Sequence, residues 1–165
     1  MSSTSIRQLT IQDFELVYRW ENREELWKIS DESGPYSREQ IETFMQRCLV
    51  EPFGEIRRWI IETTAREPLG IIDLFDINWS VKSAGMGIMI TEEKDRRKGH
   101  AHRALTQVLR ILEQENWRVV RALIHEENIA SRNLFSRHQF KEGGRVLYRG
   151  KPAIQYVCSL SEWNP

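Results

Sequence analysis

Arg96, Arg97 and Lys98 run directly into Gly99, His100 and Ala101. Three cations ahead of a helix start form an anion cradle. The free N–H groups there carry about half a positive charge, and Gly99 and Ala101 leave the approach to them open. The three cationic side chains add donors of their own. A pyrophosphate suits such a cradle. The Walker lysine pattern and the three-glycine dinucleotide fingerprint are both absent, so neither of those phosphate sites is implied. A solvated basic loop capping a helix has the same composition, and its surroundings must decide between the two readings.

Other chemistries drop out quickly. His100 and His102 are two apart at a helix start and face different directions, and none of the four histidines has a partner at ligand spacing. No metal site is expected. Cys48 and Cys158 lie far apart with no CxxC pattern, and the first ten residues have no apolar signal core, which predicts a reduced, cytoplasmic protein. No apolar run approaches the roughly 18 residues of a membrane span. Lys plus Arg and Asp plus Glu are 24 each, so global charge argues against a nucleic-acid or membrane-surface protein.

The elements that must position the cradle follow from periodicity. A chain of 165 residues with 40% apolar and 29% charged content reads as one globular domain, 1–165, with no linker or repeat. Thr10 with Asp13 and Ser37 with Gln40 frame two capping boxes. The first leads into a helix carrying Phe14, Val17 and Tyr18. The second opens one whose Ile41, Phe44, Met45, Cys48 and Leu49 recur at buried-stripe spacing. Three β-rich runs over 59–64, 69–77 and 86–91 suggest an antiparallel meander. The charged segment 92–98 then feeds a helix over 99–114 with Ala101, Ala104, Leu105, Val108 and Leu112 inward. A strand over 119–125, a helix over 129–138 and a hairpin turning at 149–152 complete a mixed α/β (α+β) domain.

Arg96-x-x-Gly99-x-Ala101 after a strand, then Asn128-x-x-Ser131-x-x-x-Phe135 and Phe140 some 30 residues on, resembles the GNAT superfamily of acyl-CoA-dependent N-acetyltransferases. The resemblance spans most of the chain and is greatest to the branch of ribosomal-protein N-terminal and polyamine acetyltransferases. The run 70–78, Gly-Ile-Ile-Asp-Leu-Phe-Asp-Ile-Asn, is similar to a Gly-x-x-Glu-x-x-Glu-Ile-Asn run of the polyamine enzymes. The hairpin from Tyr148 to Tyr156 resembles that branch's C-terminal hairpin. The resemblance implies a mostly antiparallel central sheet with helices on both faces, and acetyl-CoA as donor. Arg96, Arg97, Lys98, Gly99, His100 and Ala101 would bind its pyrophosphate. The strand around Gly87, Ile88 and Met89 would pair with the pantetheine arm as an added strand. Asn128, Ser131 and Phe135 would flank that arm, although Asn128 also suits a plain N-cap.

Attack on a thioester requires a neutral amine, and an alkyl ammonium near pKa 10.4 is deprotonated in only about one molecule in 2,000 at pH 7. A proton acceptor is needed. Where relatives place a strand Glu, this chain has Gly85. Asp73 and Asp76 are the nearest replacements; alternation puts them on opposite faces, and the match to the polyamine-enzyme run favours Asp76. Phe135 replaces a Tyr that protonates the leaving thiolate in many relatives, with Ser131, Ser136 and Tyr148 as candidate substitutes. Gln139 stands where the family has Gly. Acceptor choice falls to 20–36, where Glu21, Asp31 and Glu32 interleave with Trp20, Trp27 and Tyr36, a composition suited to a cationic amine. A solvated helix face with Trp anchors reads the same way. The leading expectation is N-acetylation of a small-molecule amine, polyamine-like or aminoacyl, by a monomer or homodimer. A peptide N-terminus as acceptor and a non-catalytic acyl-CoA sensor are the alternatives.

Overall fold

The computed structural model describes residues 3–30 and 32–165. In chain order the elements are β1 (Thr4–Gln8), α1 (Phe14–Glu21), α2 (Glu24–Ser30), α3 (Arg38–Cys48), β2 (Arg57–Thr63), β3 (Pro68–Asn78) and β4 (Ser83–Ile90). Then come α4 (His100–Gln114), β5 (Val119–His125), α5 (Ile129–Arg137), β6 (Lys141–Tyr148) and β7 (Lys151–Ser159). The strands form one sheet in the order β1-β2-β3-β4-β5-β7-β6. Every neighbouring pair is antiparallel except β4 with β5. The mixed α/β class, the mostly antiparallel sheet and helices on both faces are as the sequence predicts.

Both capping boxes form. Ser37 Oγ accepts from Gln40 N–H (3.1 Å) and starts α3, whose Ile41, Met45 and Cys48 are buried. Asp13 accepts from Thr10 N–H (2.8 Å) in a short 3-10 turn that runs into α1. On this face Val17, Trp20, Ile41 and Met45 pack onto Ile60 and Ile71 of the sheet. On the opposite face the α4 stripe of Ala104, Leu105, Val108, Leu109 and Leu112 packs onto Ile72, Leu74, Ala84 and Met86. The two sets alternate along β3, as a strand buried on both sides requires.

Two elements were hidden from periodicity. β1 is mostly polar and is held by its side chains: Arg7 bonds both oxygens of Asp13 (2.8 and 2.7 Å) and Glu62 (2.9 Å). The buried Thr4 hydroxyl accepts from Arg103 Nε (2.9 Å). α2 is short and anchored by a single buried residue, Leu26.

The parallel pair β4–β5 decides where a ligand fits. It is joined only at Ser83–Val119, Ala84–Val120 and Gly85–Arg121. Past Gly85 the two strands part, while β5 stays paired to β7 as far as His125–Ala153. The stretch 86–90 of β4 is thus left with an edge that meets no strand on the β5 side, in the middle of an otherwise continuous sheet.

Candidate active site

The turn feeding α4 is shaped by its backbone. Arg97 and Gly99 adopt φ of +59° and +80°, the second on the residue type that takes this conformation without steric cost. Gly99 is the N-cap of α4. Among the described residues no protein acceptor meets the N–H groups of Gly99, His100 or Ala101. These donors and the exposed side chains of Arg97 and Lys98 lie just beyond the end of β4's unpaired edge.

Two predicted contacts are turned elsewhere. Arg96 donates to the carbonyl oxygens of Ile90 (3.0 Å) and Thr91 (3.2 Å), so its guanidinium pins the turn to the end of β4. His100 is buried with Nδ1 2.8 Å from Thr4 Oγ1. Burial, then the charge of Arg103, hold its pKa below the usual histidine value, which keeps the ring neutral at neutral pH. Both side chains are thereby engaged by hydrogen bonds within the protein.

Along the opening, Ile88 and Met89 sit half-buried on the part of β4 that pairs with β3 but not with β5. Asn128 caps α5 across the gap, its Oδ1 accepting from Ser131 N–H (3.2 Å), and remains exposed. Phe135 is 2% exposed and stands edge-on to Phe140, ring centroids 4.9 Å apart. Its ring packs in the core between α5 and the sheet. Gln139 takes φ of +66°, the conformation glycine would supply, and its Oε1 accepts from Asn164 N–H (3.1 Å). The turn survives the substitution because that side chain is tied down.

The α1–α3 side carries the acidic groups. Arg58, whose side chain is 4% exposed, bonds both oxygens of Asp73 (2.7 Å each) and one of Glu21 (2.8 Å). Its guanidinium also lies over the Phe44 ring, 4.7 Å from the centroid. A buried guanidinium needs such counterions, and two carboxylates leave the triad with one net negative charge. Asp73 is thereby committed to Arg58 on both oxygens. Asp76 differs: it is exposed, with φ of +47°, at an irregularity between Phe75 and Asn78. Simple alternation stops at Phe75, so it cannot be used to place Asp76.

Tyr36 donates to Glu32 (3.0 Å), and Asn22 bonds the Tyr36 N–H (2.7 Å) and carbonyl (3.1 Å). Burial and Glu32 raise the Tyr36 pKa, with a smaller contribution from Glu21, so the phenol stays neutral. Arg149 of the β6–β7 turn reaches Glu32 (3.2 Å). Glu21, Glu32 and Tyr36 thus share one region; Asp31 lies outside the described residues. Sequence reasoning missed Arg58, a charged residue in an apolar run, and Asn22, which acts through the backbone of a residue 14 positions away.

The model of the acetyltransferase (GNAT) domain family matches residues 4–141. The chain belongs to the GNAT acetyltransferase family. None of the curated proteins compared with it is a significant match. Among solved structures it resembles the spermidine N-acetyltransferase of Vibrio cholerae in complex with CoA and spermine, with TM-score 0.85, 19% identity and 96% of each chain covered. A domain from Methanocaldococcus jannaschii superposes with TM-score 0.78, 23% identity and coverage of 96% and 99%. At these identities the likeness is one of fold.

As a GNAT enzyme the chain is an N-acetyltransferase that uses acetyl-CoA. The opened β4 edge, the uncommitted N–H groups of the α4 turn and the flanking cations fit a coenzyme arm ending in a diphosphate. Cys48 and Cys158 are buried, which pushes their pKa values up to about 12 and about 11. Neither is a thiolate at neutral pH, so an acyl-cysteine route is not supported and direct transfer is favoured. Replacing Arg96 by alanine removes its clamp on the end of β4. Calorimetry should show acetyl-CoA affinity lowered about tenfold, the scale of one charged hydrogen bond to a carbonyl, with the fold retained.

Proposed function

We propose that the chain transfers an acetyl group to the primary amine of a small cationic molecule, polyamine-like or aminoacyl. The observation that carries this reading is the position of the parted β4 edge. One end faces the anion cradle at Gly99, and the strand's other neighbour, β3, presents Asp73 beside the Glu21–Arg58 pair. An anionic donor and a cationic acceptor would then meet across β4.

In this scheme Arg97, Lys98 and the N–H groups of Gly99 to Ala101 hold the diphosphate. Backbone groups around Gly87, Ile88 and Met89 align the arm, and Asn128 and Ser131 flank it. Glu21, Glu32 and Tyr36 draw in the ammonium. Asp76, the carboxylate not engaged by Arg58, takes its proton. Bound acetyl-CoA supplies the activated acyl group. A thiol near pKa 8.5 departs as thiolate at modest cost, which accommodates a buried phenylalanine at position 135. The buried, unpaired cysteines support a reducing compartment such as the cytoplasm.

A thiol-release assay with acetyl-CoA across polyamines, aminoglycosides, free amino acids and short peptides tests the reading. Turnover with a polyamine or an aminoacyl amine is expected. Turnover only with peptides would move the acceptor class to protein N-termini. Tight acetyl-CoA binding with no thiol released from any amine would make the chain a sensor.

A further inference from the structure

Phe75 is a large apolar side chain left 36% exposed at the point where β4 and β5 part. It pairs with Gly85 across the β3–β4 ladder, and Asp73, on the same face of β3, pairs with Gly87. A Cβ built on Gly85 would lie 2.5 to 3.1 Å from three atoms of the Phe75 ring, and one on Gly87 would lie 3.7 Å from it. The ring therefore fills the space that a side chain at 85 would occupy and lies within contact distance of position 87. A carboxylate at position 85 would require the Phe75 ring to move.

We propose that Phe75 is a specificity-determining residue of the acceptor site. It forms an aromatic wall, covering Gly85 and Gly87, on which the methylenes and ammonium of the acceptor rest beside the Asp73–Arg58–Glu21 triad. An aromatic face attracts an ammonium through its quadrupole and its edges shed water from methylenes. It offers no partner to polar substituents, and the net negative triad disfavours a carboxylate next to the amine. The acceptor class this wall selects is an aliphatic amine whose nitrogen is carried on an unbranched methylene chain, with no acid group beside it. The inference rests on the acetyltransfer reading above and narrows its acceptor.

Steady-state kinetics with spermidine and acetyl-CoA test it, with glycine as the acid-bearing comparison. Phe75→Ala should raise KM for spermidine about tenfold, kcat should fall far less, and calorimetric affinity for acetyl-CoA should not change. Phe75→Tyr, which keeps the ring, should restore KM to within about twofold of the parent. A purely structural Phe75 would move stability without this split. Melting temperatures supply a measurement independent of turnover: Gly85→Glu should lower the melting point, and adding Phe75→Ala should recover most of the loss. Equal KM values for the parent and Phe75→Ala, or a Gly85→Glu protein that melts like the parent, would overturn the proposal. A parent protein that acetylates glycine better than spermidine would overturn the acceptor class. A parent that releases thiol with no amine at all would overturn the acetyltransfer reading and, with it, the acceptor wall.

Discussion

Gly99→Val is expected to lower acetyl-CoA affinity at least a hundredfold. Gly99 holds φ at +80°, where a β-branched residue is a steric outlier, and strain of this kind costs on the order of 1–3 kcal/mol. The new Cβ would also sit 2.7 Å from Arg103 Nη1. That guanidinium is a movable end, but it is held by Thr4 Oγ1 (2.9 Å) and the Lys98 carbonyl (3.0 Å), so displacing it loosens the β1–α4 contact as well. The turn relaxes by rotating the very N–H groups that must face the diphosphate. Gly99→Ala, with a smaller side chain, should lose about tenfold. Calorimetric titration of both variants, with a thermal melt to show that each is folded, reads the series directly; unchanged affinity in the valine protein would remove the cradle.

Asp76→Asn should lower kcat/KM by about 10²–10⁴-fold, the range that general-base catalysis contributes, with acetyl-CoA affinity unchanged. The substitution is clean for a backbone reason. Asp76 occupies the left-handed region, and asparagine tolerates that conformation as well as aspartate does, so the irregularity in β3 persists while the proton acceptor is lost. The residual rate should climb about tenfold per pH unit below the amine pKa, because only the free-base fraction still reacts. Asp73→Asn should behave differently. It strips a counterion from the buried Arg58, and its main effect should be on the melting temperature. A full-rate Asp76→Asn enzyme beside a slow, stable Asp73→Asn enzyme would transfer the role to Asp73.

The legible parts of this chain were those written in spacing. The α3 and α4 stripes, both capping boxes and the meander of β2, β3 and β4 follow from periods of 3.6 and 2 and from cap chemistry. The turn into α4, with Gly99 as its N-cap, followed from three cations meeting a glycine ahead of a helix. The direction of each cation did not. Arg96 turns inward to two carbonyls and His100 into a buried bond with Thr4, and such choices depend on partners as much as 96 positions away. β1 escaped notice because salt bridges and a buried threonine hold it, where an apolar face would have announced it. Alternation does not carry as far as Asp76, because an irregularity in pairing interrupts the strand's two-residue period. The match of Phe135 to a family tyrosine identified the position but not its burial. Nothing in the local sequence showed that Phe75 stands where residues 85 and 87 have no side chains.

Amide spectra of the 15N-labelled protein during titration with CoA, and in parallel with pantetheine, which lacks the diphosphate, would probe the grip on the coenzyme most directly. CoA should shift the Gly99, His100 and Ala101 resonances saturably, together with those of 86–90 on β4, whereas pantetheine should move only the β4 set. A titration that saturates with the 99–101 amides unmoved would contradict the account.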